Sequence, residues 1–478
     1  MHAPRRVVAD GEALRAGFAA IRAEHEVPES FDAAALAEAE AAATGWSAEG
    51  RTDLTAVPFV TLDPAGSRDL DQALHLERDG SGYRVRYAIA DVAAFVTPGG
   101  ALDRAVRERA LTVYCPDERV GLHPPVLSEG AASLLPGCDR PAVVWDLHLD
   151  ADGEPRATTV HRAVVRSTAQ LDYASQQAAL DAGTASDQMT LLTEVGELRM
   201  ALERARGGVS LGRPEQEVVP VPGGWTLAYR SPAPIEEHNA QISLLTGMTA
   251  ARMMLEVGVG VLRTMPAADA EDLRRLRRRA LALGVAWPDG AAYVDVLAAV
   301  DRRRPEVAAF LTAAVGLFRG AAWQPFDGTP PADVVHGAVA APYAHVTAPL
   351  RRLVDRYGTE VCLAAQDGVE PPAWVTEGLV GLGEAMATGA RRAAAVDRAC
   401  TDLVEAAVLA PHVGEEFDGV ALDARTVQLT QPAVVARTVE DDLPPGRTVR
   451  VRVDAADPDQ RTVTLRLVGS PEPAVAEP

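Results

Sequence analysis

The sequence predicts an α+β protein, a sheet-bearing main body with surrounding helices followed by a small C-terminal OB-type β-barrel. Three observations carry that expectation. Between Val57 and about Val165 apolar residues recur with period two, as in 83–96 and 142–149, the pattern of half-buried strands. From about residue 169 the apolar period lengthens to that of helices, over 188–206, 235–257, 268–284, 290–302, 305–318, 349–366 and 374–409. Beginning near Val413, about five short strands recur with turns between them and end in 447–453 and 461–468, a density that suits a small closed barrel.

In chain order, residues 1–51 read as a short helical N-terminal region. The stretches 11–23 and 31–43 are rich in alanine and other strong helix formers, and Ser30 or Asp32 is placed to cap the second. Residues 52–410 form the main body, in which 100–110 interrupts the strands with a helical pattern. The barrel takes 411–469. The Pro/Ala/Glu-rich tail 470–478 lacks the apolar residues a core needs and is expected to be disordered.

With 478 residues and 47% hydrophobic content, the chain is long enough for two or three domains with substantial cores. No apolar run reaches membrane-spanning length, and the start Met-His-Ala-Pro-Arg-Arg lacks the apolar centre of a signal peptide, so a cytoplasmic protein without membrane contact is expected. Cys115, Cys138, Cys362 and Cys400 show no Cys-x-x-Cys pairing, which points to reduced thiols rather than zinc or a disulfide framework. The net charge of −21 excludes nonspecific coating of nucleic acid by the whole surface. Any nucleic-acid path is local. The chain contains no lysine, so phosphate contacts fall to the planar forks of arginine.

The densest chemistry is the run Asp63-Pro-Ala-Gly-Ser-Arg-Asp69-Leu-Asp71-Gln72, directly after the apolar stretch 57–62. Pro64 and Gly66 punctuate a turn between two strands, and period-two alternation puts Asp69 and Asp71 on one face with Asp63 returned toward them. Carboxylates gathered beside apolar walls repel one another unless a cation shares them, and hard oxygen ligands of this kind suit magnesium or manganese. A solvated acidic turn is the alternative.

Three further clusters stand out. Glu236 and Glu237 open a helix after Pro234, where anions either complement the helix dipole or serve a site. The segment Tyr343-Ala-His345-Val-Thr347-Ala-Pro-Leu-Arg351-Arg352 reads as a helix entrance followed at once by paired arginines, the makings of a phosphate clamp. Tyr114 and Tyr173 place aromatics on loops, where a single-stranded base can stack, although most lone tyrosines are packing residues.

The Asp63 run, the Glu236/Glu237 helix start and the Tyr-Ala-His-Val-Thr-Ala-Pro-Leu-Arg-Arg segment resemble, in order and spacing, the ribonuclease II/ribonuclease R (RNB) catalytic domain over about residues 52 to 400. The resemblance implies a mixed sheet with surrounding helices, and a monomeric exoribonuclease that hydrolyses single-stranded RNA from its 3′ end to nucleoside 5′-monophosphates. It implies magnesium, with manganese as the substitute, held by Asp63, Asp69 and Asp71, with Gln72 where the family has a fourth aspartate. Asp71, Asp69 and Arg351 would carry catalysis. Arg352, His345 and Thr347 would lie along the RNA, Tyr173 with Glu236 or Glu237 would read the sugar, and Tyr114 would stack the terminal base opposite Leu211. The front-end cold-shock barrels common in that family are not expected here. Gln72 and Leu211 leave a second reading open, a catalytically silent relative that binds RNA 3′ ends.

Overall fold

The structure, a computed structural model, describes residues 9–212 and 214–469, and the tail 470–478 therefore lies outside the described residues. The chain starts with strand β1 (Ala9–Asp10) and helices α1 (Gly11–Glu24) and α2 (Ala33–Gly45). Asp32 caps α2, its carboxylate accepting from the Ala35 amide at 2.7 Å.

Strands β2 (Thr52–Asp63), β3 (Gln72–Asp79) and β4 (Gly82–Ala90) follow, then helix α3 (Ala101–Arg109). A short hairpin, β5 (Val113–Tyr114) and β6 (Arg119–Val120), precedes the long strands β7 (Asp139–Leu149) and β8 (Pro155–Asp172). The expected mixed sheet is closed on itself: β2-β3-β4-β7-β8 form a barrel with a parallel β2–β8 seam and antiparallel pairs elsewhere. Register shifts in the seam between Leu54 and Val60 let the sheet curl, as closure requires. Tyr87 and Trp145, large aromatics on β4 and β7, are fully buried.

Helices α4 (Tyr173–Asp181) and α5 (Asp187–Ala205) lead into a hairpin of β9 (Glu215–Val221) and β10 (Gly224–Arg230), which pairs with β1. This small sheet fills the stretch 207–234 that the sequence pattern leaves unassigned between helices. Only Trp225 and Leu227 of β10 are buried and no residue of β9 is, so the alternation that marks a strand is short there.

Helix α6 (Pro234–Val257), strand β11 (Val259–Thr264), helices α7 (Ala270–Leu283), α8 (Tyr293–Ala299) and α9 (Pro305–Ala314), and strands β12 (Ala322–Asp327), β13 (Val335–His336) and β14 (Ala341–Pro342) come next. Helix α10 (Leu353–Asp367) begins four residues later than the expected 349, so Pro349, Leu350 and Arg351 lie in the approach and Arg352 is its N-cap. The expected 374–409 helix is broken into α11 (Ala373–Leu379) and α12 (Leu382–Leu409) at Gly381, whose φ of +75° suits glycine.

The C-terminal strands β15 (Glu416–Ala421), β16 (Thr426–Leu429), β17 (Val435–Thr438), β18 (Thr448–Asp457) and β19 (Thr462–Gly469) form the expected five-stranded closed barrel. Helix α12 joins the parts. Its Val396, Cys400, Leu403 and Val404 share one core with Leu14, Phe18 and Ile21 of α1 and with Val449 and Val451 of the C-terminal barrel. Helix α1 thus closes a core between the main body and the barrel.

Candidate active site

Two strand ends and one approach loop build the site. Asp63 is the last residue of β2, and the Val60–Leu74 pairing brings β3 back beside it. In the parallel seam Asp63 stands opposite Asp172, so Tyr173, the next residue, arrives beside Asp63 at the first turn of α4.

Asp71 immediately precedes β3 and is 1% exposed. One oxygen, Oδ1, accepts from the Leu350 amide at 2.7 Å. The other, Oδ2, lies 3.2 Å from Arg351 Nη1 without hydrogen-bond alignment. Burial pushes this carboxyl up to about 7 against the pull of Arg351 and the Leu350 amide. Asp63 is pushed up to about 6, chiefly by burial and further by Asp69, and its Oδ2 is enclosed without a partner. These two carboxylate oxygens are the unsatisfied hard donors of the site.

Asp69 is spent differently. Its carboxylate is paired with Arg119, which also holds Glu129. Gln72, expected among the metal ligands, has both ends of its amide hydrogen-bonded: Nε2 donates to the Thr347 carbonyl and Oε1 accepts from the Tyr87 hydroxyl, each at 2.6 Å. Asp69 lies close enough to raise the carboxyls of both Asp63 and Asp71, but with its carboxylate on Arg119 no group of three or more His, Cys, Asp or Glu side chains among the described residues is disposed to hold a metal ion. Asp63 and Asp71 nonetheless fit a hard divalent cation in donor chemistry, each with an orphaned carboxylate oxygen.

The Arg351 side chain is 37% exposed, so its guanidinium reaches from Asp71 toward solvent. Its backbone is fixed, the carbonyl accepting from Thr112 at 3.1 Å. Arg352 turns inward instead, in a two-point pair with fully buried Asp355 at 2.8 and 2.7 Å. Its fork is committed to the start of α10 rather than to the site.

Tyr114 sits across the hairpin from Arg119. Its ring is half exposed, while its hydroxyl is pushed up to about 12 by burial and by Asp69. The Tyr173 hydroxyl accepts from Asn239 at 3.1 Å and is likewise pushed up to about 12, by burial and by Asp63. Both hydroxyls stay protonated at neutral pH.

The remaining expected residues have their own partners, although Glu236 is near enough to Tyr173 to help raise its hydroxyl. Glu236 is held by Arg230 at 2.7 Å and reaches back to the Ala233 amide at 2.9 Å, the capping arrangement of α6. Glu237 lines a cleft with Arg204, Ser210 and Arg302. His345 accepts from Trp323 through Nδ1 at 3.1 Å and is kept neutral by burial, locked between Trp323 and Tyr343. Thr347 is buried and presents its carbonyl to Gln72. Leu211 packs on the cluster of α7, α8 and α9, with its carbonyl held by Arg302. Sequence reasoning gave no role to Arg119, Asn239 or Tyr87. Arg119 carried no local signal, whereas Asn239 sits one turn into the helix whose opening glutamates drew notice.

Family comparison decides the affiliation. A model of the RNB domain matches residues 51–360, and a model of the RNase II-type exonuclease C-terminal S1 domain matches 415–468. The chain belongs to the RNB family. Ribonuclease R of Escherichia coli is 28% identical over 404 residues, covering 78% of this chain and 48% of that protein. Exoribonuclease 2 of Aeromonas hydrophila is 32% identical over 235 residues, covering 47% of this chain and 35% of that protein. The chain thus spans about half the length, or less, of these two relatives. Among solved structures, Mycoplasma genitalium RNase R in complex with ribose methylated single-stranded RNA superposes with a TM-score of 0.84 at 17% identity, covering 95% of this chain and 78% of that one. Yeast Ssd1, a pseudonuclease, superposes with a TM-score of 0.64 at 16% identity, covering 82% and 50%. The fold is therefore shared by an RNase R and by a protein described as a pseudonuclease.

Proposed function

We propose that this chain is a metal-dependent exoribonuclease that shortens single-stranded RNA from its 3′ end and releases nucleoside 5′-monophosphates. The observation that carries the proposal is Asp71, buried and 3.2 Å from Arg351, beside the unpartnered oxygen of Asp63. Buried carboxylates cost free energy, and packing alone gives no reason to leave two of their oxygens unsatisfied. The E. coli relative named Ribonuclease R and the RNA-bound Mycoplasma protein of the same fold support RNA as the substrate.

A magnesium or manganese ion bound by Asp63 and Asp71 would supply Lewis acidity toward water and phosphate. The chain's own residues do the rest. Arg351 is held by its backbone and by Asp71, so it presents a fixed cation where negative charge grows on the reacting phosphate. Tyr114 offers its exposed ring to the terminal base. Tyr173 keeps its proton, accepts from Asn239 and can donate to a ribose 2′-hydroxyl, the group that separates RNA from DNA. We further place the main body at 52–410, the C-terminal barrel at 411–469 and the protein in the cytoplasm as a monomer; no helix among the described residues is long and apolar enough to cross a membrane.

The second reading, a silent relative that binds RNA 3′ ends, is favoured by the commitment of Asp69 to Arg119 and of Gln72 to the Thr347 carbonyl. A 5′-labelled single-stranded RNA incubated with Mg2+ or Mn2+ separates the two. Progressive shortening that disappears in Asp71→Asn supports the nuclease. RNA that is bound and stays intact supports the silent relative.

A further inference from the structure

The first residue of β3 and the residue before it grip one loop with two consecutive side chains. Asp71 accepts from the Leu350 amide at 2.7 Å, and Gln72 donates to the Thr347 carbonyl at 2.6 Å. Between these contacts runs the approach to α10 that carries Arg351. The far end of the Gln72 amide is anchored as well. Tyr87, fully buried on the neighbouring strand β4, donates to Gln72 Oε1 at 2.6 Å and meets Ser243 Oγ of α6 at 2.7 Å. With the tyrosine proton given to Gln72, Ser243 donates to the tyrosine oxygen. A continuous line of hydrogen bonds then runs from α6 through β4 and β3 to the loop beside the reacting centre.

The line has chemical requirements that an amide meets and an ionised carboxylate does not. Position 72 must donate at one end, to a carbonyl, and accept at the other, from a hydroxyl. An aspartate there is one methylene shorter, has no N–H, and would set a charge against the Thr347 carbonyl in a buried setting. Other grips on the loop come from other directions: Thr112 donates to the Arg351 carbonyl at 3.1 Å, Asp355 receives the Ala348 amide at 2.6 Å, and His123 Nδ1 lies 3.2 Å from the Leu350 carbonyl. These three contacts are made to residues 348, 350 and 351, not to Thr347.

The geometry points to Gln72 as a positioning residue, with Tyr87 as its anchor: it sets the 347–351 loop, and through it Arg351, and is not a ligand of the cation. Any cation bound here then relies on Asp63 and Asp71 for its protein ligands. The kinetic part of this inference rests on the nuclease reading; the structural part does not.

The test uses the intact chain with Gln72→Met, which keeps the volume and removes both hydrogen bonds, and Tyr87→Phe, which removes only the anchor. Hydrogen exchange followed by mass spectrometry on the peptide spanning 343–352 is expected to quicken in both single variants, with the double variant no faster than Gln72→Met. Calorimetric titration with Mn2+ is expected to give a Kd within about twofold of the parent for Gln72→Met, since no ligand is lost. If the chain cleaves RNA, kcat is expected to fall about tenfold or more in both variants with KM little changed, because Arg351 loses its aim. Unchanged exchange of the loop in Tyr87→Phe overturns the inference, and that variant decides it even where Gln72→Met fails to fold. So does Mn2+ affinity lost in Gln72→Met but kept in Tyr87→Phe, the outcome for a ligand. A parent chain that leaves RNA intact removes the nuclease reading alone, with the exchange and Mn2+ measurements still deciding the role of Gln72.

Discussion

Glu405 offers a test of the packing that joins the main body to the C-terminal barrel. It lies on α12, is 6% exposed, and its Oε1 accepts from Gln216 of β9 at 2.6 Å and from the Val435 amide of β17 at 2.8 Å. Burial pushes its carboxyl up to about 7 from an ordinary 4.5, with Gln216 and Val435 opposing and Asp402 adding to the rise. Tyr229 faces it from β10 and is itself pushed up by burial. The folded state therefore binds this proton more tightly than the unfolded state. Stability falls as pH rises from about 4.5 to about 7, and the penalty is complete above that. A shift of about 2.5 units corresponds to roughly 3 kcal/mol at pH 8. Glu405→Gln removes the charge and keeps an oxygen for both donors. Urea unfolding of the parent and the variant is expected to show the variant more stable by about 3 kcal/mol at pH 8, with the gap closing toward pH 4.5. A variant less stable than the parent at pH 8, or a gap independent of pH, refutes the reasoning.

Two further outcomes concern the candidate site. Arg351→Lys keeps the charge and loses the planar fork, and kcat on a short RNA is expected to fall about 100-fold with the fold intact by circular dichroism. Tyr173→Phe removes the hydroxyl that accepts from Asn239, so the preference for RNA over the matching DNA is expected to shrink about tenfold in a kcat/KM comparison.

The parts of the fold that were legible in the sequence are those whose burial leaves a period. The C-terminal barrel announced itself through alternation, as in β18, where Val449, Val451 and Val453 point inward between exposed arginines. Helix α6 announced itself through its proline start and long apolar face. The β9–β10 hairpin did not, because its residues are mostly half-buried on both faces. The site was legible as a set of types and only partly as an arrangement. Asp63, Asp71, Arg351, Tyr114 and Tyr173 do come together, since strand pairing and the seam at Asp172 dictate it. What the sequence hid was the competition for each group. Nothing local to Asp69 shows that Arg119, fifty residues on, would take it, or that Asp355 would turn Arg352 inward.

The same competition governs how the chain should respond to salt. Arginines clustered at 274–279 and 302–304 invite a reading as an RNA entrance, yet most already have carboxylate partners. Arg274 and Arg278 reach Glu271, Arg275 reaches Asp272, Arg277 reaches Asp289, Arg303 reaches Asp301 and Arg304 reaches Glu306. Exposed pairs of this kind are weak, but in a chain of net charge −21 each arginine that turned to a phosphate would leave a carboxylate facing the RNA. The cation best placed for phosphate is Arg351, aimed outward from Asp71. Engagement of one or two phosphates by the protein gives a slope of log affinity against log salt of roughly −0.7 to −1.4 for a single strand. Fluorescence anisotropy of a labelled single-stranded RNA on Asp71→Asn, titrated across salt concentrations, measures that slope without cleavage. A slope steeper than about −3 would mean that four or more phosphates are neutralised, and the paired arginines of α7 would then have to be part of the RNA path.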